Sequence, residues 1–373
     1  MTALVDRATA APADLVSGWD HLEFWVGNAR QAAQFFASAF GFEIVAYAGP
    51  ETGVADRASY VLAQGAVRLV VTGALTPESE IAGHVQRHGD GVHDVAIAVA
   101  DAALAYDAAL ARGGVGLRRP WREADEHGTV VRATIATYGD TQHTFVDRAG
   151  YRGPFLPGYQ STQLPAPPPG PPVGLTRIDH VVANVEQGAL GGWVEWYARV
   201  LGFDQLVHFG DDQISTEYSA LMSTVVWDGS RVVMPLNEPA DGLKKSQIQE
   251  YLDFYRGPGV QHIALRSDDI VSSVAALRAR GVRFLAVPPA YHADARRRMT
   301  HRQLPWDELA RLGILVDEDD DGYLLQTFTE NIGDRPTVFL EIIERCGAKG
   351  FGAGNFKALF EAIEHEQSRR GNL

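Results

Sequence analysis

Ile178-Asp179-His180-Val181-Val182 replays Trp19-Asp20-His21-Leu22-Glu23, and the residues beyond each copy are replayed as well. Apolar residues at helical spacing come next in both: Ala32, Ala33, Phe36, Ala37 and Phe40, then Trp193, Trp196, Tyr197, Val200 and Leu201. Both helices should stop at a Gly-Phe pair, Gly41-Phe42 and Gly202-Phe203. Further on, Gly259-Val260-Gln261-His262-Ile263-Ala264-Leu265 echoes residues 91–97, and the helical pattern of 269–281 echoes 101–113. Each half is itself two units of a strand, a helix and several strands. A repeat on this scale is a duplicated domain. Strands outnumber helices, which predicts an α+β fold with mixed, strongly curved sheets rather than a doubly wound parallel sheet.

Between the halves lie Pro157, Pro165, Pro167, Pro168, Pro169, Pro171 and Pro172, too dense for helix or central strand. The expected organisation is an N-terminal domain at 15–156, a Pro-rich linker at 157–174, and a C-terminal domain at 175–373. Residues 291–322, with a basic run at 296–298 and an acidic run at 317–321, read as solvated loops around a short helix at 306–312.

Bulk properties narrow the function. The chain of 373 residues carries a net charge of −14, which argues against nucleic acid or anionic membrane as partners. No apolar run is long enough to span a bilayer, and residues 1–14 lack a signal-peptide core, so a cytoplasmic location is expected. Cys346 is the single cysteine, which rules out an internal disulfide or a thiolate metal cluster. Any metal site must use His, Asp or Glu.

The strand pattern at 337–343 puts Glu341 on one face with Thr337, Phe339 and Ile343, while Val338, Leu340 and Ile342 take the other. A carboxylate among apolar neighbours costs several kcal/mol unless a cation or strong donors meet it. It is either paired with an Arg or Lys or it ligates a metal. His180 and His262 are likewise the polar exceptions in apolar strands, and a curved sheet can bring all three together. Two imidazoles and one carboxylate leave three positions open, the arrangement for non-haem Fe(II), though Zn(II) accepts the same set. In the first half His21, Asp94 and Asp147 hold the matching places, with His93 one position over. A degenerate copy kept as scaffold is expected there rather than a second metal site.

With these residues in view the chain resembles the 4-hydroxyphenylpyruvate dioxygenase family over essentially its whole length. The stretches that carry the resemblance are Ile178-Asp179-His180, Pro235-Leu236-Asn237-Glu238-Pro239, Lys245-Ser246-Gln247-Ile248, residues 259–265, Leu324-Leu325-Gln326-Thr327-Phe328-Thr329, residues 333–345 and residues 350–360. The resemblance implies the vicinal-oxygen-chelate fold, four βαβββ modules forming two open-barrel domains, with Fe(2+) on His180, His262 and Glu341 of the C-terminal domain only. It implies oxidation of 4-hydroxyphenylpyruvate, an aromatic 2-oxo acid, by O₂ to homogentisate and CO₂. The substrate carries its own 2-oxo acid, so no separate 2-oxoglutarate is needed. Gln247, Gln261 and Gln326 would serve the chemistry, and Ser219, Asn237, Phe328, Phe339, Asn355, Phe356, Leu359 and Phe360 would contact substrate. Gln261, as the strand neighbour of His262, should face the opposite way.

At the C-terminus, a Gly-rich approach at 350–354 leads to Asn355, a good N-cap. Phe356, Leu359, Phe360 and Ile363 then form one apolar stripe. A helix over 355–369 is expected. It either docks on the core or closes the iron site against water, and the resemblance implies closure. A homo-oligomer, dimer or tetramer, is expected. Two rivals stay open: 4-hydroxymandelate synthase, with the same substrate and iron site, and a metal-free small-molecule binding protein of the same fold. Phe356 and Asn237 match the dioxygenase. The stretch Tyr291-His292-Ala293-Asp294 departs from the family pattern, which would place a second aromatic after the tyrosine.

Overall fold

A computed structural model describes residues 11–162, 170–209, 220–300 and 303–372. The described chain forms two curved mixed sheets with helices packed against them. In the second sheet the strand Leu175–Asn184 runs parallel to Val233–Ala240 and antiparallel to Gly259–Ser267, which in turn runs parallel to Phe339–Cys346. The first sheet has the same centre, with Val16–Trp25, Val67–Ala74, Gly91–Val99 and Gln142–Asp147 in those places. Each parallel pair closes one βαβββ module, and the antiparallel pair joins two modules. The fold is therefore the four-module arrangement read from the repeat. The helices Ala29–Phe40 and Leu190–Trp196 occupy equivalent positions; the latter widens into π-type turns over Tyr197–Leu201. The glycines that end them, Gly41 and Gly202, sit at φ 73° and 75°, a left-handed conformation glycine adopts without penalty.

Alternation along the central strands of the second sheet decides what faces what. Val181, Ile263, Val338, Leu340 and Ile342 enter the apolar core. Their neighbours His180, Val182, His262, Phe339 and Glu341 turn to the concave side and line a cavity. The concave face of one sheet is thus the site.

Alternation is broken at matched places by β-bulges. Between Val182 and Ala183 the partner strand jumps from His262 to Val260, so Gln261 is the extra residue. Between Ile178 and His180 the partner advances only from Leu265 to Ala264, so Asp179 is the extra residue. The first sheet carries the same two bulges at His93 and Asp20. A bulge re-aims the side chain beside it.

Residues 291–322 correct the reading of solvated loops. A helix spans Pro289–Arg298, and part of the acidic run lies in the strand Leu315–Asp319, paired with Gly322–Phe328. Asp317 accepts from the Gly354 amide at 3.0 Å, and Asp319 from those of Lys349 and Gly350 at 2.8 and 2.7 Å. Arg298 holds Asp317 at 3.2 Å. The charges are a cradle for the approach to the C-terminal helix, Phe356–Arg370. No described helix is long and apolar enough to cross a membrane.

Candidate metal centre

His180, His262 and Glu341 come from three adjacent central strands and converge. Their Nε2 atoms lie 3.2 and 3.3 Å from the same Glu341 oxygen, Oε2, and all three residues are buried. The other carboxylate oxygen, Oε1, is buried with no hydrogen-bond partner. Each imidazole is oriented by a residue that a bulge brings round. His180 Nδ1 lies 2.9 Å from Asp179 Oδ1, and His262 Nδ1 lies 2.9 Å from Gln261 Oε1. Both oxygens only accept, so both Nδ1 atoms carry the proton, and the Nε2 lone pairs point at a carboxylate.

Acceptors facing acceptors require positive charge between them. Without a cation the protein supplies a proton. Burial alone would lower the His180 pKa, but the charges and hydrogen bonds of Glu341 and Asp179 outweigh it and raise it to about 9. Burial likewise pushes Glu341 up, but His180 and His262 pull it down to about 2. For His262 burial prevails and its pKa falls. Asp179 is held below the ordinary range, against its burial, by His180 and by the Arg345 guanidinium at 2.8 Å. The donor set and the orphaned Oε1 suit a divalent cation with two neutral imidazoles and a carboxylate. The ligand-orienting partners that metal histidines ordinarily have are already in place.

The cavity above the cluster, with its mouth, encloses about 590 Å³ of space between the side chains and open solvent. Its walls bring together Asn237, Gln247, Gln261, Gln326, Phe328, Phe339, Leu359 and Phe360. Phe339 stacks on His262 at 4.8 Å between ring centroids. Gln261 does not face away, as plain alternation predicts, because it is the bulged residue. Asn355 is not part of the wall. It is buried, its amide oxygen accepts from the Tyr291 hydroxyl, and its side chain makes no capping bond. The Tyr291 hydroxyl also accepts from the Val316 amide at 2.8 Å, so the pair ties the C-terminal helix to the helix and strand beneath it. Ser219 lies outside the described residues, as does the side chain of Phe356. The structure adds Phe209, Leu221, Ser223 and Phe351 to the wall. Ser223 pairs with Asn237 across the strands, and Phe351 meets His180 edge-on at 5.5 Å. The alternation Leu221, Ser223, Val225 was the available signal for that strand.

In the first half the structural counterpart of Glu341 is Thr144, not Asp147. Ala264 stands opposite Glu341, and the pairing of Asp94 with Gln142 sets Ala96 opposite Thr144. The arginines agree: Arg148 binds Asp20 as Arg345 binds Asp179, each four residues beyond. Asp147 lies three residues beyond the matching place because the turns leading into the two strands differ in length. Thr144 instead donates to Asp94, and His21 keeps its Asp20 partner at 2.6 Å. The orienting frame is retained around a different set of side chains.

Residues 18–152 and 177–327 match the Glyoxalase/Bleomycin resistance protein/Dioxygenase superfamily. A 4-hydroxyphenylpyruvate dioxygenase of Dictyostelium discoideum is 49% identical over 367 residues, covering 96% of this chain and 100% of its own. The chain belongs to the 4-hydroxyphenylpyruvate dioxygenase family. The member of that name from Xenopus tropicalis is 46% identical, covering 100% of this chain and 97% of its own. Among solved structures, a mutant of 4-hydroxymandelate synthase from Streptomyces coelicolor superposes with a TM-score of 0.84 at 35% identity, covering 95% of this chain and 99% of that one. Membership of the 4-hydroxyphenylpyruvate dioxygenase family makes the chain an oxidoreductase, and the converging cluster is where such chemistry can be housed.

Proposed function

We propose that the chain converts 4-hydroxyphenylpyruvate and O₂ to homogentisate and CO₂, with Fe(II) held by His180, His262 and Glu341 in the half formed by residues 175–373. The observation that carries the reading is the pair of Nε2 lone pairs directed at one buried carboxylate oxygen on the cavity floor. When bound, iron would supply redox chemistry for oxidative decarboxylation, ring hydroxylation and side-chain migration.

The residues of the chain have other tasks. Asp179 and Gln261 fix the imidazoles, so the ligand set is built before metal arrives. Asp179 and Arg345 cancel in charge, which leaves Glu341 alone against two neutral rings. A divalent cation then leaves one positive unit, and the carboxylate of a 2-oxo acid neutralises it. Gln247, Gln261, Gln326 and Asn237 offer amides to the polar ends of the substrate, with Ser223 beside Asn237. Phe328 and Phe339, packed edge to face at 6.2 Å, give the ring an apolar wall. Leu359 and Phe360 cover the cavity and keep water out, which the reaction requires.

The structural neighbour named 4-hydroxymandelate synthase makes that activity the second reading. Product identification decides between them. The iron-loaded chain, given 4-hydroxyphenylpyruvate and O₂, is expected to release homogentisate. 4-Hydroxymandelate as the main product would overturn the first reading in favour of the second. Glu341→Gln is expected to remove iron binding and turnover while circular dichroism stays unchanged; full activity in that variant would sink the ligand assignment.

A further inference from the structure

A second convergence of metal-ligating side chains lies outside the cavity, at the seam between the halves. The helix Glu80–His88 carries His84 and His88 at i and i+4, one face of a helix. Asp140, in the turn before the strand Gln142–Asp147, faces them. One donor atom from each of the three lies within 4.8 Å of the others.

The protonation pattern repeats that of the first cluster. His88 Nδ1 lies 2.5 Å from the carbonyl oxygen of Tyr255, which only accepts, so Nδ1 carries the proton. His88 Nε2 then points a lone pair at Asp140 Oδ2, 2.9 Å away. His84 is the second, independent sign. It is 3% exposed, and both of its ring nitrogens are buried without a hydrogen-bond partner. Leaving a buried polar atom unpaired is unfavourable unless something meets it. His93 adds a further unpartnered nitrogen, Nδ1, with its ring stacked on Trp25 at 3.4 Å.

We propose that His84, His88 and Asp140 form a second divalent-metal site, of the zinc type, that pins the first half to the helix Gln247–Tyr255 of the second. Two imidazoles and a carboxylate with water in the fourth position are an ordinary Zn(II) set. Donors about 2 Å from an ion stand only a little over 3 Å apart, so the three side chains, now within 4.8 Å of one another, must draw together on binding. Arg87 donates to the same Asp140 oxygen, Oδ2, at 2.6 Å and holds the carboxylate beside His88. Tyr255 connects His88 to the helix whose first residue, Gln247, lines the cavity.

The full chain, stripped with a chelator and titrated with Zn(II), is expected to bind two equivalents. His84→Ala and Asp140→Asn are each expected to bind one, Glu341→Gln one, and the His84→Ala/Glu341→Gln double variant none. Co(II) in the Glu341→Gln chain should give visible d–d bands that His84→Ala removes. A single equivalent in the unmodified chain, or two retained in either His84→Ala or Asp140→Asn, would overturn the site. Asp140 is on the surface, so its variant reports even where His84→Ala does not fold. Two equivalents retained in Glu341→Gln, with loss in His84→Ala, would reject the first site and leave this one standing.

Discussion

Gln261 shows how one inserted residue changes a site. As a plain strand residue its amide would face away from His262; as the bulged residue it accepts the His262 Nδ1 proton and also lines the cavity. Removing that acceptor frees the ring to rotate and to change tautomer. Gln261→Ala is therefore expected to weaken metal binding about 10- to 100-fold, read by titration of the stripped protein, alongside a lowered melting temperature from the unpaired, buried His262 Nδ1. Asp20 tests the frame of the other half. Its burial raises its pKa, but His21 and Arg148 outweigh burial and hold the folded value well below the ordinary carboxylate range. A depressed carboxylate stabilises the fold above its unfolded pKa, and that contribution drains away as pH falls below about 4 toward the folded value. Asp20→Asn is expected to cost about 3 kcal/mol at pH 7, since Arg148 loses its buried partner. The same variant should flatten the acid limb of a stability-against-pH curve; an unchanged limb would deny Asp20 this role.

At the scale of elements, periodicity and repeat carried most of the fold. The Asp-His pairs, the Gly-Phe stops and the apolar alternation of 338–342 mark the modules, because burial of one face leaves a trace at fixed spacing. Bulges leave no such trace: an extra residue changes register, not composition, so the sides taken by Gln261 and Asp179 were not legible. Neither was the substitution of Thr144 for a carboxylate, since turn lengths hid the alignment. The charged stretch 296–321 read as solvated because its carboxylates bind backbone amides of a segment 30 residues away. The cover of the cavity was half legible. The stripe Leu359, Phe360 predicts docking, but the far end of the helix is held by a charge pair no stripe reveals. Arg370 bonds Glu250 at 2.8 Å, and Asn372 reaches the other oxygen of the same carboxylate at 3.0 Å. Glu250 is buried on the helix that supplies Gln247. Arg370→Ala should cost about 1–2 kcal/mol, discounted because the guanidinium is partly exposed. Hydrogen exchange in the C-terminal helix should quicken and KM rise more than kcat falls; unchanged protection would mean the helix is held by its apolar face alone.

Across the whole molecule the halves are not independent. One apolar core draws Leu22, Val71 and Val95 from the first half together with Val181, Leu236 and Ile263 from the second. Arg335 reaches back to the carbonyl of Arg87 at 2.6 Å, and Arg199 to that of Arg112 at 2.6 Å. The most buried tie is polar. His143 Nδ1 lies 2.9 Å from the carbonyl of Val95, so it donates, and Nε2 is left to accept from the Tyr197 hydroxyl at 2.8 Å. Burial lowers the His143 pKa to about 4, which keeps the ring neutral and this direction of bonding intact at physiological pH. Tyr197 belongs to the π-type turns after the helix Leu190–Trp196, so an irregularity of one half completes a histidine of the other. Tyr197→Phe deletes only the hydroxyl and leaves His143 Nε2 buried and unpaired, at a cost of about 1–3 kcal/mol. A shared core means that loss is felt by both halves at once. Calorimetry should show one transition, moved to lower temperature. Two resolved transitions, with only one displaced, would mean that each half carries its own stability and that the seam contributes no cooperativity.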